Sequence, residues 1–415
     1  MSTVIEQAQE AREAARRLAP LGRREKDAAL VAIARRLREA TPEIGAANAD
    51  DVERARTHGL SAAMIDRLEM GPRVVEATAR AVEHIVTLPD PVGGRQQMQR
   101  MANGLLVGRQ RVPLGVIAIV YESRPNVTVD AASLCLKAGN AVLLRGGKEA
   151  AATNARLGEV IRAALRETDL PEGAVQIVPA GDREGTRELL GLTDLVDLAI
   201  PRGGEGLIRF VAENARVPVI KHYKGVCHLF LDAGCDPEMA VRLALNAKVQ
   251  RPGVCNALEC LLVDEAAAAA VLPRVARALL DAGVELRGCE RTRAVVPAAR
   301  AATDEDWGAE FLSLVLAVRV VDGIDGALHH VARYGSNHTE AICTNDHAHA
   351  ERWLREVDAS AVMVNASTRF NDGGEFGLGA EIGISTSKLH AYGPMGLESL
   401  TTEKWIVLGD GQVRE

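Results

Sequence analysis

VIAIVYESRPNVTVDAASLCLKAGNAVLLRGGKEA, from Val116 to Ala150, sets two β-branched apolar runs on either side of a helix-like segment that closes near Lys137. A strand, a helix and a second strand at this spacing predict parallel pairing through a right-handed crossover. The pattern continues with a helix from Ala150, the strand AVQIV, a helix near Arg187 and the strand VDLAIP. An α/β fold with a doubly wound, Rossmann-type sheet is expected, and such sheets bind ligands at the carboxyl ends of their strands. Those ends carry ESRPN (122–126), RGGKE (145–149) and PRGGEG (201–206).

Outward from this centre the pattern changes twice. From Val4 to about Arg80, apolar residues recur at helical spacing and predict a helical layer that covers something rather than catalysing. Between it and the sheet, residues 96–115 place a glycine-centred turn between polar, strand-like arms and read as a protruding hairpin. After Asp232 a second βα series begins with PEMAVRLALNAKVQ and runs through ALECLLVDE, FLSLVLAVRVV, EAICTND and SAVMVNAS. LTTEKWIVLGDGQ, near the end, reads as an edge strand.

The 415 residues exceed one comfortable core, so two or three domains are expected. A net charge of -7 without charged blocks gives no footprint for nucleic acid or an anionic membrane. No run approaches the roughly 20 apolar residues of a membrane helix, and the opening stretch lacks the apolar core of a signal peptide. Seven cysteines, irregularly spaced and without zinc-like pairing, fit free thiols in a reducing cytoplasm.

Chemistry concentrates in a few places. VQRPGVCNALEC (249–260) sets Cys255 on a Pro-Gly turn between a helix and a strand, flanked by Arg251 and Asn256. A tight turn of this kind can expose a thiolate to cations and backbone N–H groups, as a nucleophile requires. Cys135, Cys260 and Cys343 sit in apolar contexts of core type, whereas Cys289 is flanked by polar residues. Arg145 and Lys148 follow a strand where an adenosine ribose would lie, and cations there either suit a 2′-phosphate, hence NADP over NAD, or form only a solvated basic loop. Gly203 and Gly204 open a helix and would let backbone approach a phosphate, or simply turn the chain. VIKHYKGVCH (219–228) admits surface charge, a metal site or an anion pocket. Its histidines, six residues apart with no carboxylate ligand beside them, speak against metal. GSNHTE (335–340) either holds substrate or caps a helix.

Taken together, YESRPNVTVDAASLCLKAGNAVLLRGGKEA, KHYKGVCH, QRPGVCNALE, GSNHTEAICT and the C-terminal block beginning STRFNDGG resemble, in order, the characteristic blocks of the gamma-glutamyl phosphate reductases (glutamate-5-semialdehyde dehydrogenases) of the aldehyde dehydrogenase superfamily. The resemblance implies NADPH-dependent reduction of L-glutamate 5-phosphate to glutamate 5-semialdehyde through a cysteine thioester, the second step of proline synthesis. It makes Cys255 the nucleophile, Asn126 the side-chain donor to the oxyanion, and Glu310 the holder of the nicotinamide ribose. The superfamily's water-activating glutamate falls at or near Lys221, so Lys221 and His222 become candidates for phosphate, with Arg251 beside them and Arg369 for the substrate's α-carboxylate. No metal is implied.

Residues 1–98 and 113–230 would form the cofactor domain, 231–365 the catalytic domain and 366–388 a return to the first. Residues 99–112 and 389–415 would be oligomerisation elements of a homodimer or homotetramer. The acyl phosphate must come from a separate glutamate 5-kinase, a possible functional partner. Two rivals remain, a hydrolytic aldehyde dehydrogenase and a catalytically silent nucleotide-binding protein.

Overall fold

The computed structural model describes residues 3–181 and 183–414 and divides into two compact units, Met1–Lys221 with Leu378–Gly383 and Met395–Glu415, and His222–Gly377 with Ile384–Pro394. The first unit opens with five helices, α1 (Val4–Leu18), α2 (Arg23–Glu39), α3 (Thr41–Thr57), α4 (Ala62–Leu68) and α5 (Pro72–Thr87). Thr3 and Glu6 close a capping box on α1, which fixes where that helix starts. The hairpin follows as antiparallel β1 (Arg95–Arg100) and β2 (Leu106–Pro113).

The doubly wound segment comes next: β3 (Val116–Tyr121), α6 (Asn126–Lys137), β4 (Ala141–Arg145), α7 (Ala151–Glu167), β5 (Val175–Ile177), α8 (Arg183–Gly191), β6 (Leu198–Arg202) and α9 (Glu205–Asn214). Its strands pair in parallel in the order β5-β4-β3-β6. Both β3 and β4 are buried along their whole length, as a sheet covered on two faces requires. On one face Ala8, Ala11 and Ala15 of α1 pack with Val116, Ala118 and Val120, so the N-terminal helix is the cover its pattern predicted.

The second unit winds through β7 (Cys227–Leu231), α10 (Pro237–Val249), β8 (Leu258–Asp264), α11 (Glu265–Asp281), β9 (Glu285–Gly288), α12 (Glu290–Val295), β10 (Arg300–Ala301), β11 (Val315–Val321), α13 (Gly323–Tyr334), β12 (Thr339–Cys343), α14 (His347–Glu356) and β13 (Ala361–Val364). These strands make a parallel seven-stranded sheet in the order β10-β9-β11-β8-β7-β12-β13. One apolar cluster joins it to α10 and α11, and another joins it to α13 and α14 around Trp353 and Phe230. Two short strands, β14 (Gly383–Ser385) and β15 (Gly393–Met395), carry the chain out to the second unit's last segment and back. Finally β16 (Thr401–Leu408) adds antiparallel to β2, giving a sheet ordered β1-β2-β16.

The division differs from the expected ranges in two respects. The boundary falls after Lys221 rather than after residue 230, because β7 is an inner strand of the second sheet, between β8 and β12. Residues 366–377 and 384–394 stay with the second unit, the former tied there where Asn371 Nδ2 donates to Thr339 Oγ1 at 2.7 Å. Residues 1, 2, 182 and 415 of the expected ranges lie outside the described residues.

Candidate active site

In the second unit the chemistry gathers at the amino ends of β7, β8 and β12. This reverses the carboxyl-end rule that applies to the first unit's sheet. Cys255 precedes β8, His338 precedes β12, and the stretch from His222 to Val226 leads into β7. Because these three strands are neighbours, residues remote in sequence meet. One ligating atom each of His222, Cys255 and His338 lies within 4.8 Å of the others.

The cysteine's turn is fixed by its backbone. A Cβ on Gly225 would stand 1.9 Å from the Cys255 carbonyl oxygen, so only glycine allows this approach. Cys227 Sγ donates to the same oxygen at 3.1 Å, and Glu310 Oε1 accepts the Gly225 N–H at 2.8 Å. Asn256, which follows the cysteine, is spent on structure. Its Nδ2 donates to the Asn371 carbonyl at 2.9 Å, its carbonyl accepts from Thr368 Oγ1 at 2.7 Å, and its Oδ1 accepts from Arg369. Arg369 also donates to Gln250 Oε1 at 2.8 Å. Partial burial and the neighbouring Arg251 guanidinium hold the Arg369 pKa below its ordinary value. Within KHYKG, Lys224 Nζ donates to the Gly308 carbonyl at 2.6 Å, and His222 joins Cys255.

His338 is the residue the sequence reading missed. Gly335 does cap α13, but three residues later the same loop buries His338 completely beside the thiol. Burial, reinforced by His222, pushes its pKa down to about 3. Among the other thiols, Cys135, Cys227, Cys235, Cys260 and Cys343 are buried and Cys289 is half-buried. Cys289 caps α12. Burial alone would raise its pKa, but the Thr292 hydroxyl and backbone donors of that turn outweigh burial and lower it.

In the first unit a cavity of about 460 Å³ opens at the carboxyl ends of β3 and β4. Arg145, Lys148 and Arg183 bring positive charge to it, and Leu60, Leu207 and Phe210 an apolar wall. Gly181 and Gly206 line it too, and a Cβ on either would meet nothing within 4 Å. The Gly203–Gly204 pair does not line it. Glu122, at the end of β3, takes the Gly204 N–H at 3.0 Å, so a carboxylate already fills the place that the glycine turn had suggested for a phosphate. Asn126 begins α6 and donates from Nδ2 to Asp130 Oδ2 at 3.0 Å. Burial raises the Asp130 pKa to about 6.

Two parallel α/β units, one with a nucleotide-sized cavity and the other presenting a half-buried thiol, define the class: residues 2–303 match the model of the aldehyde dehydrogenase family. A gamma-glutamyl phosphate reductase of Sorangium cellulosum is 66% identical over 411 residues, covering 98% of this chain and 96% of that one. Another, from Meiothermus ruber, is 56% identical over 98% of both chains. The crystal structure of gamma-glutamyl phosphate reductase from Thermotoga maritima superposes with a TM-score of 0.98 at 46% identity over the whole of both chains. An acetylating aldehyde dehydrogenase from Geobacillus thermoglucosidasius, at 17% identity and a TM-score of 0.69, shares the fold over 99% of this chain and 97% of that one. The chain belongs to the gamma-glutamyl phosphate reductases within the aldehyde dehydrogenase family.

Membership makes it an oxidoreductase that uses a nicotinamide cofactor and acts on a small molecule. Besides its three cations, the first unit's cavity is lined by the carboxylates of Glu122 and Glu149. Among the described residues no helix is long and apolar enough to cross a membrane.

Proposed function

We propose that this chain reduces L-glutamate 5-phosphate to L-glutamate 5-semialdehyde with NADPH, releasing inorganic phosphate, as the second step of proline synthesis. The observation that carries the reading is a half-buried Cys255 beside two mutually repelling guanidiniums, Arg251 and Arg369. Such a pair suits a substrate that carries phosphate at one end and a carboxylate at the other.

Cys255 Sγ attacks the C5 acyl carbon, the bond from carbon to the phosphate oxygen breaks, and a thioester remains. Arg251, Lys221 and His222 receive the departing phosphate, and Arg369 holds the α-carboxylate. NADPH, when bound, supplies the hydride that reduces the thioester carbonyl. The resulting hemithioacetal loses the thiolate as the aldehyde forms. Each addition builds an oxyanion, for which the Cys255 N–H and Asn126 are the donors. Asn126 gives one amide hydrogen to Asp130 and keeps a second for this role. Glu310, steadied by the Gly225 N–H, is assigned to the nicotinamide ribose.

Arg145 and Lys148 in the first unit's cavity favour a cofactor with a 2′-phosphate. Among the described residues, the sheet ordered β1-β2-β16 leaves the outer side of β16 without a partner strand, with Trp405 63% exposed and Val407 55% exposed. An edge of this kind calls for a cover, and a second copy of the chain in a homo-oligomer is the occupant proposed. A separate kinase supplies the acyl phosphate, and the cytoplasm suits both partners.

The reverse reaction provides the test. NADP⁺ reduction with glutamate semialdehyde is expected to require inorganic phosphate. A rate indifferent to phosphate would mean that water resolves the thioester, as in a hydrolytic dehydrogenase, and no rate at all would favour a silent nucleotide-binding protein.

A further inference from the structure

KHYKGVCH carries two histidines whose spacing along the chain offers no metal site, but the fold gives each a new pair of neighbours. His228 meets Cys260 and His330, and His222 meets Cys255 and His338, with the ligating atoms of each trio within 4.8 Å of one another.

Proton positions separate the trios. In the first, Arg319 Nη1 lies 3.1 Å from His330 Nδ1. A guanidinium only donates, so the imidazole hydrogen sits on Nε2, the nitrogen 3.5 Å from Cys260 Sγ. That nitrogen has no lone pair to give a cation, and the trio is a hydrogen-bonded part of the core. In the second, His222 Nδ1 lies 2.9 Å from the Ile384 carbonyl oxygen, which only accepts. The hydrogen is therefore on Nδ1, and Nε2 keeps its lone pair.

His338 Nδ1 lies 2.7 Å from Thr339 Oγ1 and 3.7 Å from Cys227 Sγ, whose own hydrogen goes to the Cys255 carbonyl. The Thr339 hydroxyl can give or take a hydrogen, whereas the Cys227 sulfur, its own hydrogen spent, can only accept, so a hydrogen on His338 Nδ1 suits both neighbours. His338 Nε2 is wholly buried and has no hydrogen-bond partner. An imidazole that donates from one nitrogen to a protein oxygen and keeps the other as a base is the form in which histidine ligates metals.

We infer that His222, His338 and Cys255 form a site for a thiophilic divalent cation of the zinc class, which captures the nucleophile and blocks the enzyme. Zinc bonds of about 2.0 to 2.3 Å place tetrahedral ligands roughly 3.5 Å apart, within reach of side-chain rotation from the observed separations. Three protein ligands leave a fourth position for water. Binding replaces the Cys255 thiol hydrogen by the metal and releases one proton, with no change of oxidation state. The effect on turnover rests on Cys255 being the nucleophile, whereas binding does not.

The experiment titrates the full chain, stripped with a chelator, with Co²⁺ and then Zn²⁺. One cobalt per chain with a thiolate charge-transfer band is expected, together with slower alkylation of Cys255 by iodoacetamide and inhibition that a chelator reverses. His222→Asn and His338→Asn should each weaken zinc binding at least about 10-fold, and Cys255→Ala should abolish the band. Cys260→Ala should leave both binding and inhibition as they are. If His338→Asn fails to fold, the half-buried His222→Asn decides.

Unchanged zinc affinity in a folded His222→Asn variant would overturn the site. A band kept in Cys255→Ala and lost in Cys260→Ala would overturn it in favour of the other trio. Zinc held at Cys255 in a chain without phosphate-dependent turnover would uphold the site and sink the proposed function instead.

Discussion

Cys255 owes its assignment to its place, half-buried on the turn that leads into β8. Burial pushes the thiol pKa of Cys135 and Cys227 upward, toward the inert form, and Cys289 spends its sulfur on capping a helix. Cys255 stays half-buried on a turn whose carbonyl meets Gly225 and accepts from Cys227 Sγ. Cys255→Ala is therefore expected to cut turnover by at least about 10³-fold while shifting NADPH affinity by less than about 2-fold. Single-turnover assays and fluorescence titration measure the two, and full activity in the variant would end the thioester mechanism. Lys148 is exposed at the first unit's cavity, so its contribution to a bound anion there would be electrostatic and screened by salt. Lys148→Glu should raise the Kd for NADPH about 10-fold at low salt and that for NADH much less. Equal losses for both cofactors would remove it from the 2′-phosphate.

At the scale of elements, the entrance to β7 is the support on which the cysteine turn rests. Gly225→Ala forces backbone against backbone at the Cys255 carbonyl, where no side chain can give way. A displacement of about 1 Å costs a nucleophile about 10²-fold, so kcat should fall by that order while cofactor affinity in the first unit holds. Circular dichroism confirms folding, and a wild-type kcat would show that the turn tolerates the shift.

The same elements explain what was legible beforehand. Alternation of β3, α6 and β4, the hairpin, and the Pro-Gly turn with its cysteine are local patterns, readable from period and turn chemistry. The sheet order is not local. That β7 lies between β8 and β12 brings His338 to Cys255, and that β6 pairs with β3 brings Glu122 to Gly204, and neither pairing leaves a signal in the chain between the partners. The carboxyl-end rule placed the first unit's cavity well, and it had nothing to say about a site built on strand beginnings.

Across the whole molecule, stability against pH follows from how the core stores histidines. Burial, then repulsion from His228, Arg319 and Arg333, pushes the His330 pKa down to about 2, so this side chain stays neutral in the folded chain. Unfolded, it titrates near 6.5. Between these values the unfolded chain binds the extra proton, so His330 contributes stability above about pH 6.5 that is lost as pH falls. Glu259 acts in the opposite sense, because burial outweighs the pull of the Lys248 ammonium. With its pKa raised to about 7, it costs stability as pH rises from its unfolded value near 4.3. His228 has its pKa raised because Glu340 and Cys260 outweigh burial, and it loses stability as pH climbs beyond 6.5.

Because these terms overlap, the measurement is a difference between wild type and His330→Asn, by urea unfolding from about pH 4.5 to 8 with chelator present. Over the acid half of that range wild-type stability should fall faster than that of the variant, by about 1.4 kcal/mol per pH unit. Parallel curves would mean that His330 is already protonated in the fold, with Arg319 displaced from Nδ1.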